Sequence, residues 1–136
     1  MTLSILVAGL GRFANKEALA LGKPKSAAAA TALKTSIAAQ LDAGVEASNK
    51  AGYHVERTEL NPADPTSIAA LSELLQSRKW DGFMIGYGLR GVFANTPLFE
   101  QVVNLSREVA PETRLLFSNT PDEVLVTIER SFGKKR

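Results

Sequence analysis

Four short apolar runs, each followed by a stretch with helical spacing, constrain this chain more than any other feature. The runs are residues 3–9, 53–60, 83–87 and 114–118. The stretches between them carry apolar residues at steps of three and four, the period of a helix with one buried face. Repeated strand–helix units need crossover connections, and crossovers join parallel strands. A parallel sheet with helices on both faces is therefore expected. A length of 136 residues has room for one such domain. It is read as residues 1–133, with Lys134-Lys135-Arg136 as a solvated basic tail.

The composition of each run indicates its place in the sheet. Leu3-Ser4-Ile5-Leu6-Val7-Ala8-Gly9 and Phe83-Met84-Ile85-Gly86-Tyr87 are nearly continuous apolar segments, as strands buried on both faces are. His54-Val55-Glu56-Arg57-Thr58-Glu59 alternates charge and suits an edge. The strand order 2-1-3-4 satisfies both demands, whereas 1-2-3-4 would bury the charged second strand. The expected fold class is thus α/β, a single-domain three-layer sandwich around a four-stranded parallel sheet of flavodoxin- or Rossmann-like type. Ser26 is placed to cap a helix running to about Lys50, with Ala30, Leu33, Ile37, Leu41 and Val45 as its inner stripe. Further helices are expected from about Thr66 to Arg78, from Pro97 with Thr96 as its cap, and from Pro121 onward. Residues 15–25 read as loop with one helical turn, and residues 88–96 as a long loop.

Several chemistries are excluded or poorly supplied. There is no cysteine, so disulfides, thiolate catalysis and cysteine-ligated zinc or iron–sulfur clusters are ruled out. The single histidine, His54, stands at the start of the second strand, on the opposite edge from the expected pocket, so a Ser-His-acid triad fails on geometry. One histidine and scattered carboxylates supply no metal site, and no haem is expected. A net charge of +2 is too small to argue for nucleic acid. No apolar stretch approaches the roughly 20 residues of a membrane span, and the start of the chain lacks a basic leader. A soluble, cytoplasmic protein is the default expectation.

In open parallel sheets ligands bind beyond the carboxyl ends of the strands, where the strand order reverses. Here that point lies between the first and third strands, and two Gly/Arg segments emerge there. Gly9-Leu10-Gly11-Arg12-Phe13-Ala14 fits G-x-G-x-x-A, the dinucleotide fingerprint. The fit is partial, because the next long helix starts near Ser26 and the first acid ending a strand is Glu59. Gly86-Tyr87-Gly88-Leu89-Arg90-Gly91 offers three glycines for a backbone anion nest and an arginine able to clasp a carboxylate or phosphate. Asn119 and Thr120, at the end of the fourth strand, supply an amide and a hydroxyl. The expected ligand-binding set is Gly9, Gly11, Arg12, Gly86, Gly88, Arg90, Gly91, Asn119 and Thr120, with Glu59 and Tyr87 the available reactive groups.

Trp80-Asp81-Gly82-Phe83-Met84-Ile85-Gly86-Tyr87-Gly88-Leu89-Arg90, Phe99-Glu100-Gln101-Val102-Val103-Asn104, Ala110-Pro111 and Phe117-Ser118-Asn119-Thr120-Pro121-Asp122 together resemble a family of small, uncharacterised bacterial and fungal α/β proteins. The resemblance covers the C-terminal half. It implies the same fold, singles out Arg90 and the 118–122 turn, and names no substrate. The leading expectation is binding of a small anionic metabolite. The alternatives are a non-enzymatic module that forms a homodimer through the alanine-rich helix 27–50, and nucleotide or dinucleotide binding at Gly9 and Gly11.

Overall fold

A computed structural model describes residues 2–134. Lys134 is exposed at the end of that range, and the rest of the expected basic tail lies outside the described residues. Four parallel strands, β1 (Ser4–Gly9), β2 (His54–Glu59), β3 (Gly82–Ile85) and β4 (Arg114–Phe117), form one sheet in the order 2-1-3-4. β1 runs in register with β2 from Ser4 opposite His54 to Gly9 opposite Glu59, and with β3 from Ile5 opposite Gly82 to Ala8 opposite Ile85. The two apolar strands are central and the charged second strand is an edge. This is the flavodoxin/Rossmann-like α/β arrangement that the apolar runs imply.

Alternate residues of β1 feed two cores, because successive side chains of a strand point to opposite faces. Leu6 and Ala8 join Leu71, Leu75, Phe83, Ile85 and Val102 on one face. Ile5 and Val7 join Leu41, Val55, Met84, Val124 and Ile128 on the other. The helices are α1 (Lys16–Leu19), α2 (Ala27–Lys50), α3 (Thr66–Gln76), α4 (Tyr87–Arg90), α5 (Thr96–Val109) and α6 (Val124–Phe132). None is long and apolar enough to cross a membrane. α3 and α5 cover the first face, and α2 and α6 the second.

Local chemistry sets the helix boundaries. The Ser26 hydroxyl accepts the Ala29 N–H at 3.0 Å, which fixes the start of α2. Asp64 accepts both the N–H and the hydroxyl of Thr66, at 2.9 and 2.7 Å, ahead of α3. Thr96 is not the cap of α5. It is the first helical residue, and Asn95 occupies the cap position without a capping bond. The helical turn expected within residues 15–25 is present at residues 16–19, and the segments read as loops add more: residues 11–13, 20–22 and 93–95 form single 3-10 turns, and residues 87–90 form one turn of helix. α2 and α6 approach closely at Gly44, where an added Cβ would lie 3.1 Å from Val124. The only tryptophan, Trp80, is 2% exposed at the amino end of β3 and donates its indole N–H to the Leu74 carbonyl at 2.8 Å.

Candidate functional site

α2 is longer than the sheet it covers. Its 24 residues span about 36 Å, at 1.5 Å per residue. The six residues of β1 span only about 20 Å, at roughly 3.3 Å each. The carboxyl half of the helix lies on the sheet, and there Leu41, Gly44 and Ser48 are buried. The amino half overhangs the carboxyl ends of the strands. There Leu33 and Ile37 are only half-buried, with no strand beneath them.

A cavity of about 420 Å³ fills the space below that overhang. Leu33, Ile37 and Leu41 of α2 form one wall. Ala8, Gly9, Leu10 and Gly11, at and beyond the end of β1, form its floor with Gly86, Tyr87 and Gly88 beyond β3. Ala14, Ala18, Leu21 and Gly22 close one side, and Ser118, Asn119, Thr120 and Pro121 beyond β4 close the other. The cavity therefore sits at the point where the strand order reverses, in a size range typical of small-molecule sites. Its body is apolar, and its polar side chains are gathered toward Tyr87 and the 118–120 turn.

Of the residues predicted from sequence, Gly9, Gly11, Gly86, Tyr87, Gly88, Asn119 and Thr120 line this cavity. Arg12, Arg90, Gly91 and Glu59 do not. The two arginines do not share a cleft: they turn toward opposite flanks of the sheet. Arg12 Nε lies 3.1 Å from Glu59 at the end of edge strand β2, with its side chain 72% exposed. Arg90 turns toward β4, where one terminal nitrogen donates to Asn119 Oδ1 at 2.6 Å and to the Ser118 carbonyl at 3.4 Å. Its guanidinium carbon lies 4.8 Å from the centre of the Tyr87 ring and 5.5 Å from that of Phe117. Its Nε is buried and has no hydrogen-bond partner among the described residues.

Nor do the glycines of the second loop form a nest. Gly86 has φ −73°, Gly91 has φ −97°, and Gly88 lies inside α4. The loop closes as a helical turn because the Gly91 N–H reaches the Tyr87 carbonyl at 2.7 Å. Gly91 serves instead to let the Tyr87 ring lie against its backbone: an added Cβ would fall 1.7 Å from that ring. Arg90 stacks on Tyr87 in turn.

The first loop is anion-binding in form, but its anion is the protein's own. Gly11 takes φ +51°, and the following Arg12 N–H donates to Glu59 Oε2 at 2.7 Å. The same carboxylate receives Arg57 at 3.4 Å, and Arg57 Nε donates to Asp42 of α2 at 2.6 Å. Engaged by the Arg12 N–H and paired with two guanidinium groups, Glu59 is a structural latch between β2 and the first loop. It also occupies the N–H that a nucleotide phosphate would seek, and α2 does not start within the glycines. Both features count against a dinucleotide at Gly9 and Gly11.

The two loops are tied together behind the cavity by a pair of asparagines. Asn95, 2% exposed, donates to the Gly88 carbonyl at 2.9 Å and accepts from Asn15 Nδ2 at 2.7 Å. Asn15 Oδ1 accepts from Ala18 N–H. The sequence reading missed this tie, because the partners stand 80 residues apart. Leu33 and Ile37 were missed as site residues for another reason, since apolar residues at helical spacing read as core, and Leu21 because it stands in a segment read as loop. At the other edge of the sheet, His54 contacts Glu56 and Arg78, away from the cavity.

Compared with protein-family models and with curated proteins, the chain has no match.

Proposed function

We propose that this protein binds a small molecule in the cavity at the carboxyl end of β1 and β3. The ligand has an apolar body and one polar end. The observation that carries this reading is the overhang of α2: Leu33 and Ile37 are half-buried at the margin of the first-face core, and with Leu41 they wall a volume suited to a small ligand. The apolar lining would hold the ligand body by burial at about 25 cal/mol per Å². The polar end, a carboxylate or phosphate in the reading from sequence, would meet Tyr87 and Asn119. Arg12 has no part in this site, since Glu59 already engages it.

Thermal stabilisation by a panel of small carboxylates, ketones and phosphate esters with aliphatic or aromatic bodies tests the proposal. A compound present at 100 times its Kd stabilises the fold by about 2.7 kcal/mol. Ile37→Trp is expected to fold, because the added ring enters existing space, and to lose the response. A wild-type protein indifferent to the whole panel, or an Ile37→Trp variant that responds equally, overturns the proposal.

A further inference from the structure

From the contact between Arg90 and Asn119, we infer that the site selects a ligand whose polar end is a hydrogen-bond acceptor. This rests on the cavity being the binding site. An asparagine side chain presents an acceptor at one end and a double donor at the other. A guanidinium has donors only. With Arg90 donating to Asn119 Oδ1 at 2.6 Å, the orientation of the amide is fixed by chemistry: its carbonyl is turned to the arginine. The NH₂ group is the part left over: among the described residues it has no partner, and because Asn119 is exposed, it is open to water until a ligand oxygen replaces that water. Asn119 lines the cavity and Arg90 does not.

Arg90 is held for this task. Its second bond, to the Ser118 carbonyl at 3.4 Å, ties it to the backbone that carries Asn119. The rings of Tyr87 and Phe117 pack on the guanidinium and restrict its motion. Arg90 is thus a positioning residue. It does not clasp an anion; it fixes Asn119 as a donor. A ketone, amide, ester or carboxylate oxygen satisfies that donor. A ligand end that can only donate gains nothing from it and leaves it to water.

Three neutral probes with the same body separate this inference from the binding reading beneath it. They are butylbenzene, 4-phenylbutan-2-one (acceptor only) and 4-phenylbutan-2-ol (donor and acceptor), titrated by calorimetry and by backbone amide NMR. Wild type is expected to bind all three, with butylbenzene the weakest. Asn119→Asp keeps the pairing with Arg90 but replaces the free donor by an acceptor. It should weaken the ketone about tenfold, the cost of an opposed or lost hydrogen bond, and leave the alcohol and butylbenzene nearly unchanged. In Arg90→Gln the new amide can pair with Asn119 in either orientation, so Asn119 is no longer fixed as a donor. That variant should lower ketone affinity and leave the alcohol nearly unchanged. If Asn119→Asp shifts ketone and alcohol equally, the inference is overturned while the cavity reading stands. If butylbenzene perturbs no amide of residues lining the cavity, both are overturned.

Discussion

The two glycines of the first loop, two positions apart, are expected to respond oppositely to the same substitution. Gly9 has an ordinary φ, and an added Cβ would meet nothing within 4 Å. Gly9→Ala therefore gains the stabilisation of a less flexible unfolded chain, about 0.4–1 kcal/mol. Gly11 has φ +51°, and its added Cβ would fall 2.0 Å from Glu59 Oε2. The left-handed backbone alone costs an alanine about 1–2 kcal/mol. Displacing the carboxylate from the Arg12 N–H loses a bond to a charged group at a partly exposed site, about 1–2 kcal/mol. Set against the same unfolded-state gain, the net loss is about 1.5–3 kcal/mol. With an unfolding entropy of about 2.1 cal/mol/K per residue, a chain of this length should melt roughly 5–10 °C lower. Thermal and urea unfolding of wild type, Gly9→Ala, Gly11→Ala, Glu59→Ala and the Gly11→Ala/Glu59→Ala double variant measure each contribution. The double variant should be less destabilised than the sum of the two singles, since each single already loses the Arg12 N–H bond to Glu59 and the pair loses it once. Equal stabilities for Gly9→Ala and Gly11→Ala would refute both the latch and the geometry behind it.

Three further outcomes are expected. Asn95→Ala should cost about 2–3 kcal/mol in urea unfolding, because the Gly88 carbonyl and the Asn15 amide lose their buried partner; a cost below about 1 kcal/mol would show that water replaces it. Gly82→Ala should destabilise by about 1–3 kcal/mol through overpacking, since its Cβ would lie 2.7 Å from Leu116 and 2.9 Å from Ile5, and guanidinium denaturation reads this directly. Asp64 should titrate below the ordinary aspartate range, because first the Thr66 hydroxyl and then the Thr66 N–H favour its charged form. A carboxyl depressed in the folded state adds stability above its unfolded value and loses it as pH falls through the folded one. The first turn of α3 should therefore loosen only in strong acid, and Thr66→Val should move the Asp64 NMR titration upward; an unmoved midpoint would show that the hydroxyl has no effect.

The sheet was legible because its signals are local. An apolar run such as Ile5 to Ala8 marks a central strand, and the charges of Glu56, Arg57 and Glu59 mark an edge. The single turns at residues 11–13 and 87–95 were not legible, because one turn is too short to show a period, whereas the turn within residues 15–25 was expected ahead of Gly22 and Pro24. Topology brings Gly9, Gly11, Gly86 and Gly88 to the cavity floor, since each follows the carboxyl end of a central strand. The arginines illustrate the limit. What Arg12 and Arg90 do depends on Glu59, 47 residues from the first, and Asn119, 29 residues from the second. No local pattern distinguishes an arginine waiting for a ligand from one already engaged. The apolar stripe on α2 has a similar ambiguity, since Leu33 and Leu41 look alike in sequence and differ only in whether a strand lies beneath them.

Trp80 sets how the protein can be followed by light. Its indole is sealed at the amino edge of the sheet, with Arg78 packed on the ring and His54 nearby, and it is not among the residues around the cavity. Tryptophan emission will therefore signal loss of the fold and stay silent when the cavity fills. A fluorescence screen read through that residue would miss an occupant altogether. Tyr87, which does face the cavity, is the native chromophore that would respond.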